Sequence, residues 1–248
     1  MARCQLVVPC YNEARRLSVA AFESFLGKHD GVELLLVNDG STDDTLTLLR
    51  DLERRLPDRV DVLDGQPNAG KAFAVQRGMA VALESGAELV GYWDADLATP
   101  LEAVSEFVEQ LERNPDLQMV FGARVQLLGR SIRRQPLRHY LGRVFATAVS
   151  SALHLAIYDT QCGAKVFRAT DLVRTLFRDP FVTDWIFDVE ILARLVALHR
   201  AGQAPAPETL IYELPLRAWQ DVAGSKVTPM DFPRALAELL RIYIRYLR

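Results

Sequence analysis

Two aspartates one residue apart, Asp94 and Asp96, stand where the apolar run 89–93 ends. In a strand, residues i and i+2 point to the same face, so both carboxylates can reach one hard cation such as Mg²⁺ or Mn²⁺. An acidic strand end that leads into a helix would show the same pattern. The pair alone thus allows two interpretations, a site for a metal and a diphosphate or an acidic strand end. The neighbouring motifs must decide between them.

A third aspartate, Asp39, follows the apolar run 33–37 and precedes the sequence Gly-Ser-Thr-Asp-Asp. We expect Ser41 or Thr42 to cap a helix whose first turn carries acidic side chains, where the helix dipole favours them. That account leaves Asp39 unexplained. At the tip of a buried strand, its carboxylate could accept hydrogen bonds from a base or a ribose.

Lys71 lies in a glycine-containing stretch, 65–72, that approaches the phosphate-binding loop of nucleoside triphosphatases. Ala72 stands where that loop requires a serine or threonine hydroxyl to hold Mg²⁺, so we reject this interpretation. Lys71 nevertheless lies at the start of a predicted helix, 72–83, where a cation and exposed N–H groups can meet a phosphate. The alternative is a solvated lysine that the helix dipole does not stabilise.

Arginines accumulate in a segment, 117–158, that contains no aspartate or glutamate. In a protein of net charge −3, a segment whose charged residues are all positive favours an anionic partner over a merely solvated surface. Arginine binds phosphate oxygens through its planar guanidinium. Because the apolar stretch 145–158 follows, a phosphorylated lipid or a membrane surface would fit. The arginines of this segment are Arg124, Arg130, Arg133, Arg134, Arg138 and Arg143.

The composition excludes several classes of protein. With 248 residues and a net charge of −3, the chain is an ordinary globular protein rather than a nucleic-acid binder. The three cysteines form no Cys-x-x-Cys pair, and the four histidines lack the spacing of zinc ligands. No apolar run reaches the length of a transmembrane helix, and no secretory signal precedes the first strand. We expect a cytoplasmic protein, with peripheral contact at the inner face of the cytoplasmic membrane as an option.

The elements that would position these side chains follow from the alternation of short apolar runs with helical patterns. This alternation predicts an α/β fold with a mostly parallel sheet, in which ligands bind beyond the carboxyl ends of the strands. We expect strands at 5–8, 33–37, 60–63, 89–93, 118–121 and 209–216, and helices at 137–158, 170–177, 187–200 and from 231 onward.

We predict one domain followed by a helical tail. Residues 1–122 and residues 123–230 would form its two halves, and residues 231–248 would form a C-terminal amphipathic helix. That helix would pack on the domain or, as the alternative, lie in a membrane interface. Its apolar residues near one side are Leu236, Leu239, Leu240, Tyr243 and Leu247.

Taken together and in order, these motifs resemble those of the family 2, GT-A-fold inverting glycosyltransferases, and within them the dolichyl-phosphate glucosyltransferase branch with its bacterial relatives. The resemblance covers almost the whole chain and implies a GT-A fold, with a Rossmann-like, mostly parallel sheet. It also implies that residues 1–122 form the nucleotide-binding half and residues 123–230 the acceptor-binding half. Asp-Thr-Gln-Cys-Gly at 159–163 and Trp-Ile-Phe-Asp-Val-Glu at 185–190 indicate the polyprenyl-phosphate branch. The matching stretches are 8–13, 37–43, 68–71, 94–100, 122–124, 159–167, 185–190, Trp219 and 224–226.

The resemblance also implies roles for individual residues. Asp96 would be the principal metal ligand, with Asp94 beside it on the nucleotide side. Arg124 and Arg138 would hold the acceptor phosphate. The nucleotide of the donor would be bound by Pro9, Tyr11, Asn12, Glu13, Asp39, Gly70, Lys71 and Asp94, and its sugar by Asp159, Gln161 and Asp188.

The predicted reaction is transfer of a hexose, glucose in the first place, from a UDP-sugar to a polyprenyl phosphate of the dolichyl or undecaprenyl type. Mg²⁺ or Mn²⁺ would neutralise the leaving diphosphate. The acceptor phosphate is already mostly dianionic at neutral pH and would need no general base. A glycan or small-molecule hydroxyl is the alternative acceptor, and it would need Asp184 or Asp188 as the base. A third hypothesis is a non-catalytic protein that binds sugar nucleotides.

Overall fold

The computed structural model describes residues 2–133, 136–222 and 231–248, with the backbone alone at 133, 136–141 and 231–232. In these ranges seven strands form one sheet, in the order β3-β2-β1-β4-β7-β5-β8, and β6 pairs with β9 in a small second sheet. The strands are β1 Cys4–Cys10, β2 Val32–Asp39, β3 Val60–Gly65, β4 Leu89–Trp93, β5 Met119–Ala123, β6 Ser131–Arg133, β7 Ala164–Arg168, β8 Ile211–Pro215 and β9 Ala218–Gln220.

Six strands of the large sheet run in the same direction, and β7 is antiparallel to both of its neighbours, β4 and β5. The predicted mostly parallel α/β sheet is therefore confirmed. The sequence did not predict β7, which pairs Ala164 with Trp93 at the end of β4. This pairing brings the chain after residue 158 to the edge of the sheet where β1, β2 and β4 end.

Helices cover both faces of the sheet because its central strands are buried on both sides. In β1, Val7 packs in one apolar core while Leu6 and Val8 pack in the other, as the two-residue repeat of a strand requires. The helices are α1 Val19–Leu26, α2 Thr45–Arg55, α3 Lys71–Glu84, α4 Val104–Arg113, α5 Pro136–Leu153, α6 Asp171–Arg178, α7 Phe187–Arg200, α8 Pro207–Leu210 and α9 Asp231–Ile242, with a 3₁₀ turn at Leu101–Ala103 and a π-helical turn at Tyr243–Leu247.

Two predicted boundaries are wrong for local reasons. The helix predicted at 137–158 ends at Leu153, because His154 adopts a left-handed backbone conformation with φ 55°. The strand predicted at 209–216 starts only at Ile211, since one turn of helix with Pro207 at its start precedes it.

The predicted cap of α2 is also wrong. The helix begins at Thr45, and neither Ser41 nor Thr42 caps it. Instead, the Ser41 hydroxyl accepts a hydrogen bond from the Asn12 N–H, 3.0 Å away. Asp43 precedes the helix and accepts a hydrogen bond from the Thr45 N–H at 3.1 Å. These side chains join the loops after β1 and β2 rather than only starting a helix.

The C-terminal helix forms from Asp231, where it is predicted to start. In the described ranges, no helix combines the length and the apolar character that crossing a bilayer requires. Strands from both predicted halves share one sheet, and the division at residue 122 stays a prediction.

Candidate functional site

The carboxyl ends of β1, β2 and β4 bring the predicted donor residues to one edge of the sheet. Asn12, just after β1, has a positive φ of 51°, and its side-chain oxygen accepts a hydrogen bond from the Thr42 N–H at 2.8 Å. Pro9 lies within β1 and pairs with Val37 of β2. Tyr11 follows β1 and is half-buried. The two strand-end loops therefore form one surface.

Glu13 and Asp39 are both buried, and both are engaged by neighbouring residues of the chain. The Glu13 carboxylate forms an ion pair with Arg16. The backbone N–H of Glu13 donates to the Thr45 hydroxyl at 2.8 Å. The Asp39 carboxylate accepts hydrogen bonds from the N–H groups of Ala69 at 3.0 Å and Gly70 at 2.9 Å.

Asp39 therefore fixes the loop that precedes α3. The Asn68 side chain adds a third hydrogen bond to this carboxylate at 2.8 Å. Gly70 has φ 94°, a conformation that favours glycine, and it places Lys71 at the first position of α3. A cavity of about 320 Å³ borders Asp39. The residues that line it are Val37, Asn38, Asp39, Asp64, Gly65, Gln66, Pro67, Phe73, Ala74 and Arg77.

Lys71 and Asp94 form an ion pair at the centre of this edge, with Lys71 Nζ 2.5 Å from Asp94 Oδ1. Burial alone would lower the pKa of the Lys71 ammonium, but the charges of Asp94, Asp188 and Asp96 outweigh it and raise that pKa. Lys71 therefore carries its positive charge at neutral pH, beside the carboxylates that the sequence predicts as metal ligands.

Asp94 is held from the other side by Gly163, just before β7. The Asp94 N–H donates to the Gly163 carbonyl at 3.0 Å. The Asp94 carboxylate lies so close to the Gly163 Cα that even a methyl group on residue 163 would overlap with it. Glycine is thus the residue that lets β7 pass this close to the carboxylate.

Asp96 is partly buried, and its Oδ1 accepts a hydrogen bond from the Ala98 N–H at 3.1 Å. Burial first, and then the charge of Asp94, raise the pKa of the Asp96 carboxyl above its usual value. A nearby divalent cation would offset both effects. The environment of Asp96 therefore suits a carboxylate that works beside a positive charge.

The donor set fits a hard cation that shares its coordination with a substrate. Within the described residues, no group of three or more His, Cys, Asp or Glu side chains could hold a metal ion. Mg²⁺ is commonly bound by one or two carboxylates together with phosphate oxygens of the substrate. Asp94 and Asp96 supply two such carboxylates, so the residues suit a metal bound together with a diphosphate.

Arg124 and the buried Asp159 form a second ion pair. Arg124 Nε lies 2.6 Å from Asp159 Oδ2, and Arg124 Nη2 lies 2.8 Å from Oδ1. The Arg124 guanidinium also lies over the ring of Trp219, 5.2 Å from its centroid. A residue predicted to bind the acceptor and one predicted to bind the sugar therefore meet directly.

A small cavity of about 50 Å³ opens beside this pair, and Gln161 lines it. Gln161 Nε2 is buried and, within the described part of the chain, has no hydrogen-bond acceptor. Buried donors are nearly always paired, so this amide is a candidate donor to an oxygen of a ligand. Arg143 borders the same cavity, with its Nη1 bonded to the Tyr158 carbonyl at 2.8 Å.

Comparison with known proteins now decides the family. Residues 5–174, more than half of the chain, match the Glycosyl transferase family 2. The chain belongs to glycosyltransferase family 2. The predicted family and the predicted enzyme class are thereby confirmed.

Two curated relatives within this family share one description. The glycosyltransferase is 31% identical over 97% of its length to a dolichyl-phosphate beta-glucosyltransferase of Trichomonas vaginalis, and it covers 70% of that protein. It is 32% identical over 98% of its length to a protein of the same description from Mus musculus, of which it covers 75%.

Solved structures support the fold. A structure of glucosyl-3-phosphoglycerate synthase from Mycobacterium tuberculosis in complex with UDP superposes with a TM-score of 0.67, at 20% identity, over 98% of this glycosyltransferase and 80% of that chain. Another structure of the same enzyme, in complex with Mn²⁺, UDP-glucose and phosphoglyceric acid, gives the same TM-score, identity and coverage. At this identity the likeness shows the fold alone, and the predicted GT-A fold is confirmed.

Asp188 lies on the first turn of α7, in a buried pair that sequence reasoning did not find. Its Oδ1 is 2.5 Å from the Lys165 ammonium and accepts a hydrogen bond of 2.5 Å from the Tyr92 hydroxyl. Lys165 is fully buried in β7 and also donates to the carbonyls of Thr160 at 3.0 Å and Cys162 at 2.6 Å. A lysine inside an apolar strand must be paired with a carboxylate or other acceptors. Lys165 between apolar residues was therefore the signal in the sequence for a buried ion pair.

The remaining predicted residues lie elsewhere. Asp184, an alternative base, is largely exposed and pairs with Arg234 at 2.7 Å. Only the backbone of Arg138 is described, as part of α5, so its predicted role stays a prediction. Glu213, which we did not predict, accepts hydrogen bonds from the N–H groups of Tyr158 at 2.7 Å and Asp159 at 2.8 Å, and so fixes the chain beside the small cavity.

Proposed function

We propose that this glycosyltransferase transfers a hexose, glucose in the first place, from a UDP-sugar to a polyprenyl phosphate, with inversion at the anomeric carbon and with Mg²⁺ or Mn²⁺. The observation that carries the proposal is the pairing of Lys71 with Asp94 beside Asp96. The relatives described as dolichyl-phosphate beta-glucosyltransferases support the acceptor. The carboxylates of Asp94 and Asp96 support the metal, and a protein of the same fold has been solved with Mn²⁺ and UDP-glucose, the ligands proposed here.

On the donor side, the sheet edge would bind the nucleoside diphosphate. Asp94 and Asp96 would hold the cation, which would act as a Lewis acid and offset the charge on the leaving diphosphate. Lys71 would donate from the start of α3 to the same phosphates, where free backbone N–H groups also favour anions. The loops after β1 and β2, which contain Asn12 and Asp39, would enclose the nucleoside.

On the acceptor side, Arg124 and Gln161 would bind the phosphate and the transferred sugar around the small cavity. A phosphate monoester has a second pKa of about 6, so it is mostly a dianion at neutral pH and can attack without a general base. The site then needs to place its reactants in line rather than to move a proton.

The surroundings of the two candidate bases favour a phosphate acceptor over a hydroxyl acceptor. Asp188 Oδ1 is already engaged by a buried ammonium and a hydroxyl, so this oxygen does not face an acceptor. Asp184 is paired with Arg234 at the surface. A hydroxyl acceptor would need one of these carboxylates to be available at the reaction centre.

We further propose that the enzyme works on the cytoplasmic side of a membrane. Nucleotide sugars are water-soluble, whereas a polyprenyl phosphate exposes only its head group at the bilayer surface. The enzyme would therefore meet its two substrates at that boundary.

The decisive experiment incubates the purified enzyme with UDP-glucose, Mg²⁺ or Mn²⁺ and a short polyprenyl phosphate, and detects the glycolipid by mass. GDP-sugars and a panel of soluble hydroxyl acceptors serve as comparisons. We expect product on the phosphate acceptor, its loss with a chelator, and its loss in Asp96→Asn but not in the control Asp61→Asn, an exposed aspartate of β3. Product on a soluble hydroxyl acceptor and none on the phosphate would refute the proposal.

A further inference from the structure

Helix α9 and the turn that follows it carry an apolar stripe on their outer side. Leu236, Leu240, Tyr243 and Ile244 are each between 45% and 59% exposed. Their spacing of four, three and one residues places them along one side of a helix. Large apolar side chains rarely cluster on a soluble surface unless the surface binds something.

The opposite side of α9 is firmly packed, so the stripe cannot turn inward. Ala235 and Ile242 are buried in the core that α7 also lines. The buried Glu238 accepts hydrogen bonds from the backbone N–H groups of Trp185 at 3.0 Å and Ile186 at 3.1 Å, just before α7. Of the two arrangements that the sequence left open, packing on the domain is observed, and it leaves the stripe exposed.

The charges of the segment that carries the C-terminal part of the stripe have one sign. Residues 239–248 contain no aspartate or glutamate. Arg241, Arg245 and Arg248 are exposed in the same stretch. A short helix with apolar side chains on one side and arginines beside them has the character of an interfacial membrane helix.

The small size of the stripe argues against a second copy of the chain as its partner. A stable protein interface takes about 20–30 residues and about 800 Å² from each partner, and the stripe offers four side chains. The exposed arginines would also face their own copies. An anionic lipid surface satisfies both features, because it accepts single inserted side chains and attracts arginine.

We propose that the outer stripe of α9 docks the enzyme on an anionic bilayer. This proposal rests on the proposed function, because docking would serve to bring the enzyme to a polyprenyl phosphate in the bilayer. The same helix is bonded through Glu238 to the start of α7, which carries Asp188. Docking through α9 would therefore fix the orientation of the site relative to the lipid.

The test measures co-sedimentation of the whole enzyme with vesicles of phosphatidylcholine alone, and with vesicles in which one third is phosphatidylglycerol. We expect binding to the anionic vesicles, and a fall of about tenfold or more in Leu240→Ser/Ile244→Ser, because two inserted side chains are lost. Arg241→Gln/Arg245→Gln should weaken binding to anionic vesicles only. Val81→Ser is the control, since Val81 is exposed near the far end of α3, about 15 Å along the helix from Lys71.

Activity separates this proposal from the proposed function. Leu240→Ser/Ile244→Ser should lose turnover of an acceptor embedded in vesicles while keeping turnover of a short, water-soluble polyprenyl phosphate. A wild-type enzyme that is inactive on both acceptors but binds vesicles through the stripe would contradict the function and leave the docking surface intact. Absence of vesicle binding, equal losses in Val81→Ser, or a change from dimer to monomer in the stripe variant would overturn the docking proposal.

Discussion

Replacing Lys165 by methionine tests whether its buried pair with Asp188 holds the site together. Lys165 is fully buried, and its ammonium lies 2.5 Å from Asp188 Oδ1. Methionine keeps an unbranched apolar side chain but leaves a buried carboxylate without its cation, a change that costs about 3–5 kcal/mol. The lost hydrogen bonds to the Thr160 and Cys162 carbonyls, about 1 kcal/mol each, fall within that range because all three contacts share one ammonium.

The assay is equilibrium unfolding in urea, which gives the free energy of unfolding from the midpoint and the slope. A loss of about 3–5 kcal/mol is a large part of the roughly 5–15 kcal/mol that stabilises a typical protein. It corresponds to a Tm lower by about 6–20 °C in a chain of this size. Lys28→Met is the matched control, because Lys28 is exposed and its loss should change stability by no more than about 0.5 kcal/mol.

A double variant identifies the cause of the loss. Lys165→Met/Asp188→Leu removes the stranded charge as well, and replacing both partners of a buried pair by apolar groups is often close to neutral. We therefore expect the double variant to be more stable than Lys165→Met alone. The reasoning is refuted if Lys165→Met unfolds within about 0.5 kcal/mol of the wild type, or if the second substitution only adds to the loss.

Further predictions concern other parts of the structure. Lys71→Met should weaken UDP binding at least tenfold in isothermal titration calorimetry, because its ammonium is proposed to contact the phosphates, and should leave thermal unfolding nearly unchanged, because that ammonium is half-exposed. Gly163→Ala should displace the Asp94 carboxylate, abolish turnover and cost about 1–3 kcal/mol in urea unfolding. Burial raises the pKa of Cys162 to about 11 and that of Cys4 to about 12, from 9.0, so native enzyme should resist iodoacetamide at pH 8 and unfolded enzyme should not. Since these thiols lose their protons more easily when unfolded, their contribution to stability is present below pH 9 and should fall as the pH rises toward 11–12, which urea unfolding at several pH values would detect.

The parts of the fold that the sequence predicts are those with a local signal. Strands buried on both faces appear as continuous apolar runs, so β4 was predicted with the bounds Leu89–Trp93 that the structure has. Helix α7, Phe187–Arg200, was likewise predicted with its observed bounds. The end of α5 had no such signal, because a left-handed conformation is uncommon in any residue except glycine, even in histidine, where it is enriched.

The position of β7 could not be predicted, because it depends on contacts between distant parts of the chain. The residues Ala164–Arg168 carry no local pattern that would predict an antiparallel strand in the middle of the sheet. The partners of Lys165 follow from that insertion: Asp188 is 23 residues away, and Tyr92 lies on the neighbouring strand β4. The sequence predicts Asp188 as a site residue but not its pairing with the Lys165 ammonium.

For the candidate site, the residue types were predictable and their pairings were not. Charged residues at strand ends are visible in the sequence, but Lys71 with Asp94 and Arg124 with Asp159 are pairings that only the fold creates. Buried carboxylates are stable when a cation or several donors lie beside them. The arrangement therefore combines two demands on the same side chains, because Lys71, Asp94, Arg124 and Asp159 are proposed to bind substrate or metal and also balance the charge of a neighbour.

That balance predicts how the metal and the donor bind. Lys71, Asp94 and Asp96 together carry one net negative charge when all three are ionised. A divalent cation alone would make the cluster positive, and the two negative charges of a UDP-sugar alone would make it strongly negative, whereas both together leave it unchanged. We therefore expect Mn²⁺ to bind weakly by itself and at least tenfold more tightly with UDP-glucose, as measured by electron paramagnetic resonance of free Mn²⁺. Linkage requires Mn²⁺ to tighten UDP-glucose binding by the same factor, and equal Mn²⁺ affinity with and without the donor would show that the cluster holds the metal independently.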